Sequence, residues 1–216
     1  MPSHSVNLGR LLEESGAVLH GHFLLTSGRH SDVYFEKFRV LEQPHVLSAL
    51  SSEIASHFMG GGSRVTGDGG QASDQSAIGN RQSAIDLVAG PTTGGIIIAF
   101  EVARQMKLPA LYVESEEGKK KIRRGAHIPP GAKVLVVDDV LTTGTSVKEV
   151  LDVVREAGGV PAGVGVLIDR AETPIDFGVP LFAAYKVEAQ TYAANDVPAW
   201  LNDIPITKPG TRPVGH

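Results

Sequence analysis

The sequence predicts an α/β fold: a mostly parallel central sheet flanked by helices, with a small N-terminal subregion over about residues 1–42. Three observations predict it. Residues 134–137, Val-Leu-Val-Val, are a continuous β-branched and apolar run, as in a strand covered on both faces within a parallel sheet. Strand-like and helix-like segments alternate from about residue 85 to 187, the rhythm of βαβ units. The chain has 216 residues, 42% hydrophobic and 20% charged, enough for a single well-buried domain and too apolar for a disordered one.

The elements follow in order. Phe23-Leu24-Leu25 and Val33-Tyr34-Phe35 look like short strands of the N-terminal subregion. Leu47, Leu50, Ile54 and Phe58 recur at helical spacing, so 44–58 reads as a helix. Residues 60–83 hold seven glycines and no aromatic. Such a segment buries too little apolar surface to offset its ordering entropy, and a flexible glycine-rich surface insertion is expected there. Residues 85–89 are a strand candidate, Gly90-Pro91-Thr92-Thr93-Gly94-Gly95 a break, and 96–106 a buried helix. Leu111-Tyr112-Val113 reads as a strand, and 114–131 as charged and irregular. After the strand at 134–137, Val147, Val150, Leu151 and Val154 mark one helix face, and Gly158-Gly159 suits its end. Residues 160–168 and 181–187 are the last strand candidates.

Composition removes several function classes. The net charge is −4, which disfavours a dedicated nucleic-acid binder. There is no cysteine, so disulfides, Cys-ligated metals and a cysteine nucleophile are excluded, and a cytoplasmic location is expected. No run approaches the ~18 apolar residues of a membrane-spanning helix. Met1-Pro2-Ser3-His4-Ser5 lacks the basic and apolar segments of a secretory signal. No repeat of solenoid or propeller period is present.

Residues 134–146, VLVVDDVLTTGTS, carry the chemistry. A buried strand is expected to end at Asp138-Asp139, and ligands in open α/β sheets bind beyond the carboxyl ends of strands. Two carboxylates there suit the hydroxyls of a ribose. The turn Thr142-Thr143-Gly144-Thr145-Ser146 supplies hydroxyls and amides, and Gly144 permits close backbone approach. Ser146 and Glu149 match a capping box that would start the next helix. Turn and helix N-terminus together make an anion site, so the device binds a phosphate attached to a polyol. Neither G-x-x-x-x-G-K-[ST] nor a strand-following G-x-G-x-x-G is present, which removes the P-loop and dinucleotide folds.

VLVVDDVLTTGTS resembles the phosphoribosyl-diphosphate signature of type I phosphoribosyltransferases. The resemblance implies that Asp138 and Asp139 hold the ribose hydroxyls, with the 5′-phosphate on Thr142, Thr143, Gly144, Thr145 and Ser146 and the backbone of Val140 and Leu141 beside it. Gly21 to Ser31, GHFLLTSGRHS, followed by Tyr34-Phe35, resembles the N-terminal hood of orotate phosphoribosyltransferases, which places Tyr34 or Phe35 against a flat pyrimidine. Asp169-Arg170 resembles the pair that aims arginine at the orotate carboxylate, a planar bidentate match, with Thr142 also near orotate. The resemblance runs from about residue 16 to 187, with 204–210 resembling the tail of some members.

Three positions depart from the common pattern. Thr26 stands where many members have lysine, with Lys37 a candidate replacement. Thr93-Gly94 stands where many have Tyr-Lys in the diphosphate turn, leaving backbone amides to hold the anion. The mobile catalytic loop resembles a subgroup with Glu-Gly-Lys followed by Arg-Arg-Gly, so Lys119, Lys120, Arg123 and Arg124 are the cations expected to face the leaving diphosphate, with His127 close by.

By resemblance the chain is expected to make orotidine 5′-phosphate and diphosphate from orotate and phosphoribosyl diphosphate. Mg²⁺ would be carried by diphosphate and ribose oxygens rather than ligated by the protein, and the enzyme would be a homodimer. The alternatives are a purine phosphoribosyltransferase, against which the hood and Asp169-Arg170 argue, and an RNA-binding regulator using the KKKIRR run.

Overall fold

The computed structural model describes residues 7–25, 27–60, 85–116, 118–123, 125–187 and 190–209. Thr26, Arg124 and all but Gly60 of the 60–83 insertion lie outside the described residues. The chain divides into two compact units: Met1–Leu47 together with Tyr185–His216, and Ser48–Ala184.

The chain opens with α1 (Leu8–Glu14), β1 (Val18–Leu24), β2 (His30–Phe35) and α2 (Lys37–Leu41). Helix α3 (Pro44–Phe58) begins in the first unit and continues in the second. Then come β3 (Leu87–Pro91), α4 (Gly94–Met106), β4 (Ala110–Glu116), β5 (Lys119–Lys121), β6 (Lys133–Leu141), α5 (Thr145–Glu156), β7 (Val160–Asp169) and β8 (Leu181–Lys186). The chain closes with β9 (Thr191–Tyr192), α6 (Ala199–Asn202) and β10 (Ile206–Thr207).

In the first unit the four strands run in the order β10-β1-β2-β9. The outer strands come from the far end of the chain, β10 parallel to β1 and β9 antiparallel to β2. Polar contacts secure both. The Arg29 guanidinium donates to the Thr191 hydroxyl and carbonyl at 2.8 and 2.7 Å. His22 is buried, with Nδ1 3.1 Å from the Ile204 carbonyl and Nε2 2.6 Å from His30 Nδ1. A carbonyl only accepts, so His22 carries its proton on Nδ1, and in the neutral ring its Nε2 accepts from His30.

The second unit holds a six-stranded sheet ordered β5-β4-β3-β6-β7-β8. Strands β4, β3, β6 and β7 pair in parallel, and β5 is antiparallel to β4. Successive strand residues face opposite sides. Leu87, Ala89, Leu111, Val113, Val134 and Val136 accordingly form one core with Val147, Val150, Leu151 and Val154 of α5. On the other side Val88, Leu135 and Val137 are fully buried, as are Ile98 and Val102 of α4. The 15-residue α3 has the bounds that its spacing predicts.

Three expectations are corrected. Residues 114–116 and 119–121 are paired antiparallel strands rather than irregular chain: Glu114 faces Lys121 and Glu116 faces Lys119, and opposite charges in cross-strand register favour pairing. Strand β6 does not stop at Asp138-Asp139 but continues to Leu141, because its ladder with β7 persists to Leu141 opposite Asp169. Ser146 does not cap α5. The cap is Gly144, at φ 75°, whose carbonyl accepts from Lys148 at 2.9 Å.

Candidate active site

Strand order decides where ligands can enter. From β3 the chain crosses through α4 to β4 on one side, and from β6 it crosses through α5 to β7 on the other. The crevice between the carboxyl ends of β3 and β6 is therefore the topological switch point, where open α/β sheets bind ligands. Thr93-Gly94 follows β3, residues 142–146 follow β6, Arg170 follows β7, and the 119–123 cations follow β4. All of these sequence-derived candidates belong to one edge of one sheet.

Asp138 and Asp139 lie in the carboxyl-terminal half of β6, only 7% and 9% exposed. Each is anchored by an amide: Asp139 N–H donates to Asp138 Oδ1 at 2.9 Å, and Val140 N–H to Asp139 Oδ1 at 2.7 Å. The other Asp139 oxygen is turned to the start of α4, where a Cβ on Gly94 would collide with Oδ2. Glycine is thus what lets the turn after β3 approach the acid. The Thr92–Thr93 peptide there is cis. Thr93 caps α4 without a side-chain hydrogen bond, so the first-turn amides of that helix lack a side-chain cap.

The turn after β6 repeats the pattern. Gly144 caps α5 with no side-chain hydrogen bond, so the first-turn amides of that helix lack a side-chain cap. Thr142, Thr143 and Thr145 are exposed, and the Thr143 and Thr145 hydroxyls lie 3.1 Å apart. The left-handed Gly144 would meet Phe177 and Ile175 if it bore a Cβ, at 2.9 and 3.2 Å. Arg170 is half-buried, and its amide donates to the Leu141 carbonyl at 2.8 Å. That bond places the arginine beside the turn. Asp169 accepts from the Ala171 amide at 2.9 Å and shapes the strand exit.

Electrostatics divides the hairpin cations into two groups. Glu116 accepts from Lys121 at 3.1 Å and pairs with Arg123 at 2.7 Å, with Glu114 3.9 Å from the same guanidinium. The hydrogen bond from Lys121, then the charge of Arg123, hold the Glu116 carboxyl below the usual range. Lys119 is exposed and Lys120 half-buried, and neither forms an ion pair with the described residues. Arg123, by contrast, is engaged by Glu114 and Glu116.

In the other unit, Tyr34 and Phe35 are consecutive in β2 and face opposite sides. Phe35 is buried, 5% exposed. Tyr34 is half-buried, its ring 5.6 Å from that of Phe23. Lys37 lies 5.6 Å from the Phe38 ring. Sequence reasoning missed Phe177 and Glu116. Phe177 is an isolated aromatic among turn residues, with no periodicity to flag it. Glu116 was legible only through its cross-strand register with Lys119.

Comparison with known proteins agrees with this geometry. The phosphoribosyl transferase domain family matches residues 75–177. The chain is 42% identical over 204 residues to the orotate phosphoribosyltransferase of Pelotomaculum thermopropionicum, covering 94% of this chain and 96% of the relative. It is 41% identical to that of Caldanaerobacter subterraneus, covering 94% and 95%. Among solved structures, orotate phosphoribosyltransferase from Aeropyrum pernix superposes with a TM-score of 0.64 at 30% identity, covering 84% of this chain and 94% of that one.

Proposed function

The chain belongs to the orotate phosphoribosyltransferase family, and we propose that the carboxyl edge of its six-stranded sheet is where it performs that family's reaction. It is a pentosyltransferase of pyrimidine (UMP) synthesis. It moves the ribose 5-phosphate group of phosphoribosyl diphosphate onto orotate, giving orotidine 5′-phosphate and releasing diphosphate. The observation that carries the residue assignment is the convergence of Asp139, Gly94 and the capless α5 N-terminus at the switch point.

In this reading the 5′-phosphate sits on the amides and hydroxyls of 142–146, next to Val140 and Leu141. Asp138 and Asp139 accept from the ribose hydroxyls and fix the sugar. The Thr93-Gly94 turn holds the diphosphate through backbone amides. Lys119 and Lys120 neutralise the charge that grows on the leaving diphosphate, with Arg123 joining them if it leaves Glu116. As the bond from C1 of the ribose to diphosphate breaks, positive charge develops on the ring and the orotate nitrogen bonds to that carbon. Catalysis is positioning and charge stabilisation, without a covalent protein nucleophile. Arg170 reads the orotate carboxylate with Thr142 alongside.

Mg²⁺ fits this donor set. The candidate donors are hard oxygens, and the ion would be carried mainly by diphosphate and ribose oxygens. When bound it would lower the negative charge of the diphosphate. The same proposal includes a homodimer. On α4, Ile97 and Phe100 are 41% and 62% exposed one turn apart, and Tyr112 of the adjoining β4 is 36% exposed, an apolar surface suited to a second copy. A cytoplasmic location completes the proposal; no described helix is long and apolar enough to cross a membrane.

The test is loss of orotate absorbance on adding phosphoribosyl diphosphate and Mg²⁺, with a panel of purine bases in parallel. Turnover of orotate alone is expected. Use of a purine in its place would overturn the assignment of the base.

A further inference from the structure

Phe177 belongs to none of the motifs that identify the site, yet it packs on the turn on which phosphate binding depends. The segment after β7 leaves the sheet beside that turn, tied by the Arg170 amide to the Leu141 carbonyl at 2.8 Å. It then passes over the start of α5. The Cβ position of Gly144 lies 2.9 Å from Phe177 Cζ, 3.1 Å from Cε1 and 3.2 Å from Ile175 Cδ1. The ring is 6% exposed and shares a core with Val147, Val150 and Leu151 of α5. The Gly178 amide donates to Asp176 at 2.8 Å, closing a turn across Phe177.

Gly144 sits at φ 75° with no side-chain cap on its helix. Glycine has many alternatives to that conformation, so something outside the turn must select it. We propose that Phe177, backed by Ile175, is a positioning residue for phosphoribosyl diphosphate. Its ring presses on Gly144, holds the left-handed cap, and thereby aims the amides and hydroxyls of 142–146 at the 5′-phosphate. The proposal rests on the reading of that turn as the phosphate site. It also gives residues 170–177 two tasks, since the same segment carries Arg170 at one end and the brace at the other.

The experiment compares wild type with Phe177→Ala, Phe177→Leu and Ile175→Ala, and uses Asp139→Asn as a control on the site itself. Both substrates are varied in steady state, binding of ribose 5-phosphate is followed by calorimetry, and melting curves report folding. Phe177→Ala is expected to raise KM for phosphoribosyl diphosphate by roughly ten- to a hundredfold, the scale that small misplacements of binding groups produce. Ribose 5-phosphate binding should weaken in parallel, while kcat and the orotate KM stay within about twofold. Phe177→Leu, which keeps part of the brace, should fall between, and Ile175→Ala should shift the same KM a fewfold. Should Phe177→Ala not fold, the two milder variants carry the test. Unchanged KM in folded variants overturns the proposal, as does an equal loss in kcat and both KM values. Normal turnover by Asp139→Asn, or no orotate turnover by wild type, would instead overturn the site assignment and the proposal with it.

Discussion

Asp138 and Asp139 are neighbours in a strand, so their side chains leave β6 on opposite sides. One amide anchors each, and Asp139 closes on Gly94. Two buried acids so placed can hold different hydroxyls of one sugar. A hydrogen bond to a charged group contributes about 1.5–3 kcal/mol, roughly ten- to a hundredfold in affinity or rate. Asp138→Asn and Asp139→Asn should each impair turnover by at least about tenfold while melting normally, and wild-type kinetics in both would remove the ribose assignment. Orotate differs from uracil by a carboxylate, which calls for a cation. Arg170→Ala should reduce orotate use by roughly ten- to a few hundredfold and change phosphoribosyl diphosphate binding much less. Lysine should rescue only partly, because it restores charge without the bidentate fork. Paired titrations of the two substrates separate these outcomes.

The contact between α3 and α4 is polar at one point. Glu101 accepts from Ser48 of α3 at 2.5 Å, from Gln105 at 2.7 Å, and from Arg104 at 2.7 and 2.8 Å. The Arg104 hydrogen bond is the main cause that takes its pKa from 4.5 to about 2, against the opposing effect of burial. The folded value is depressed, so this carboxylate stabilises the protein above about pH 4.5 and progressively less as pH falls toward 2. Glu101→Gln should lower stability by about 1 kcal/mol at pH 7, with a gap that closes toward pH 3. Urea midpoints of both proteins at the two pH values decide it. The start of α5 is a second such point. Gly144→Ala places a Cβ at positive φ and against Phe177, costing about 1–2 kcal/mol for the backbone alone. It should raise KM for phosphoribosyl diphosphate; an unchanged melting temperature and unchanged KM would show that the cap tolerates a side chain.

At the scale of the whole molecule, α4 and β4 expose Ile97, Phe100 and Tyr112. A surface of that kind is stabilised by covering it, and in the proposed homodimer a second copy of the chain would cover it symmetrically. Wild type is expected to sediment as a dimer at micromolar concentration, and Phe100→Asp, which puts a charge into the contact, as a monomer. A monomeric wild type would remove the homodimer from the proposal. The far end of the chain has its own architectural role. Residues 190–207 complete the sheet of the first unit through β9, β10 and the His22 contact to Ile204.

The sequence by itself determined the α/β class, the bounds of α3 and the strand–turn–helix succession that contains Val134–Val137 and Val147–Val154. Those features are local: β-branched runs, helical spacing and a turn whose residue types have few other uses. The same locality explains what it missed. Gly144 rather than Ser146 caps α5, and the ring that crowds its Cβ position is Phe177, more than thirty positions away in the chain, so no short window of sequence contains both. The pairing of 114–116 with 119–121 sets Glu116 opposite Lys119, a register that helical or strand periodicity does not display. Burial of Phe35 and partial exposure of Tyr34 follow from which face of β2 meets a core, which alternation alone leaves undecided. Pairing across distance is settled by packing, and only the tertiary structure decides it, because long-range contacts are chosen by which faces can be buried together rather than by the preference of any segment.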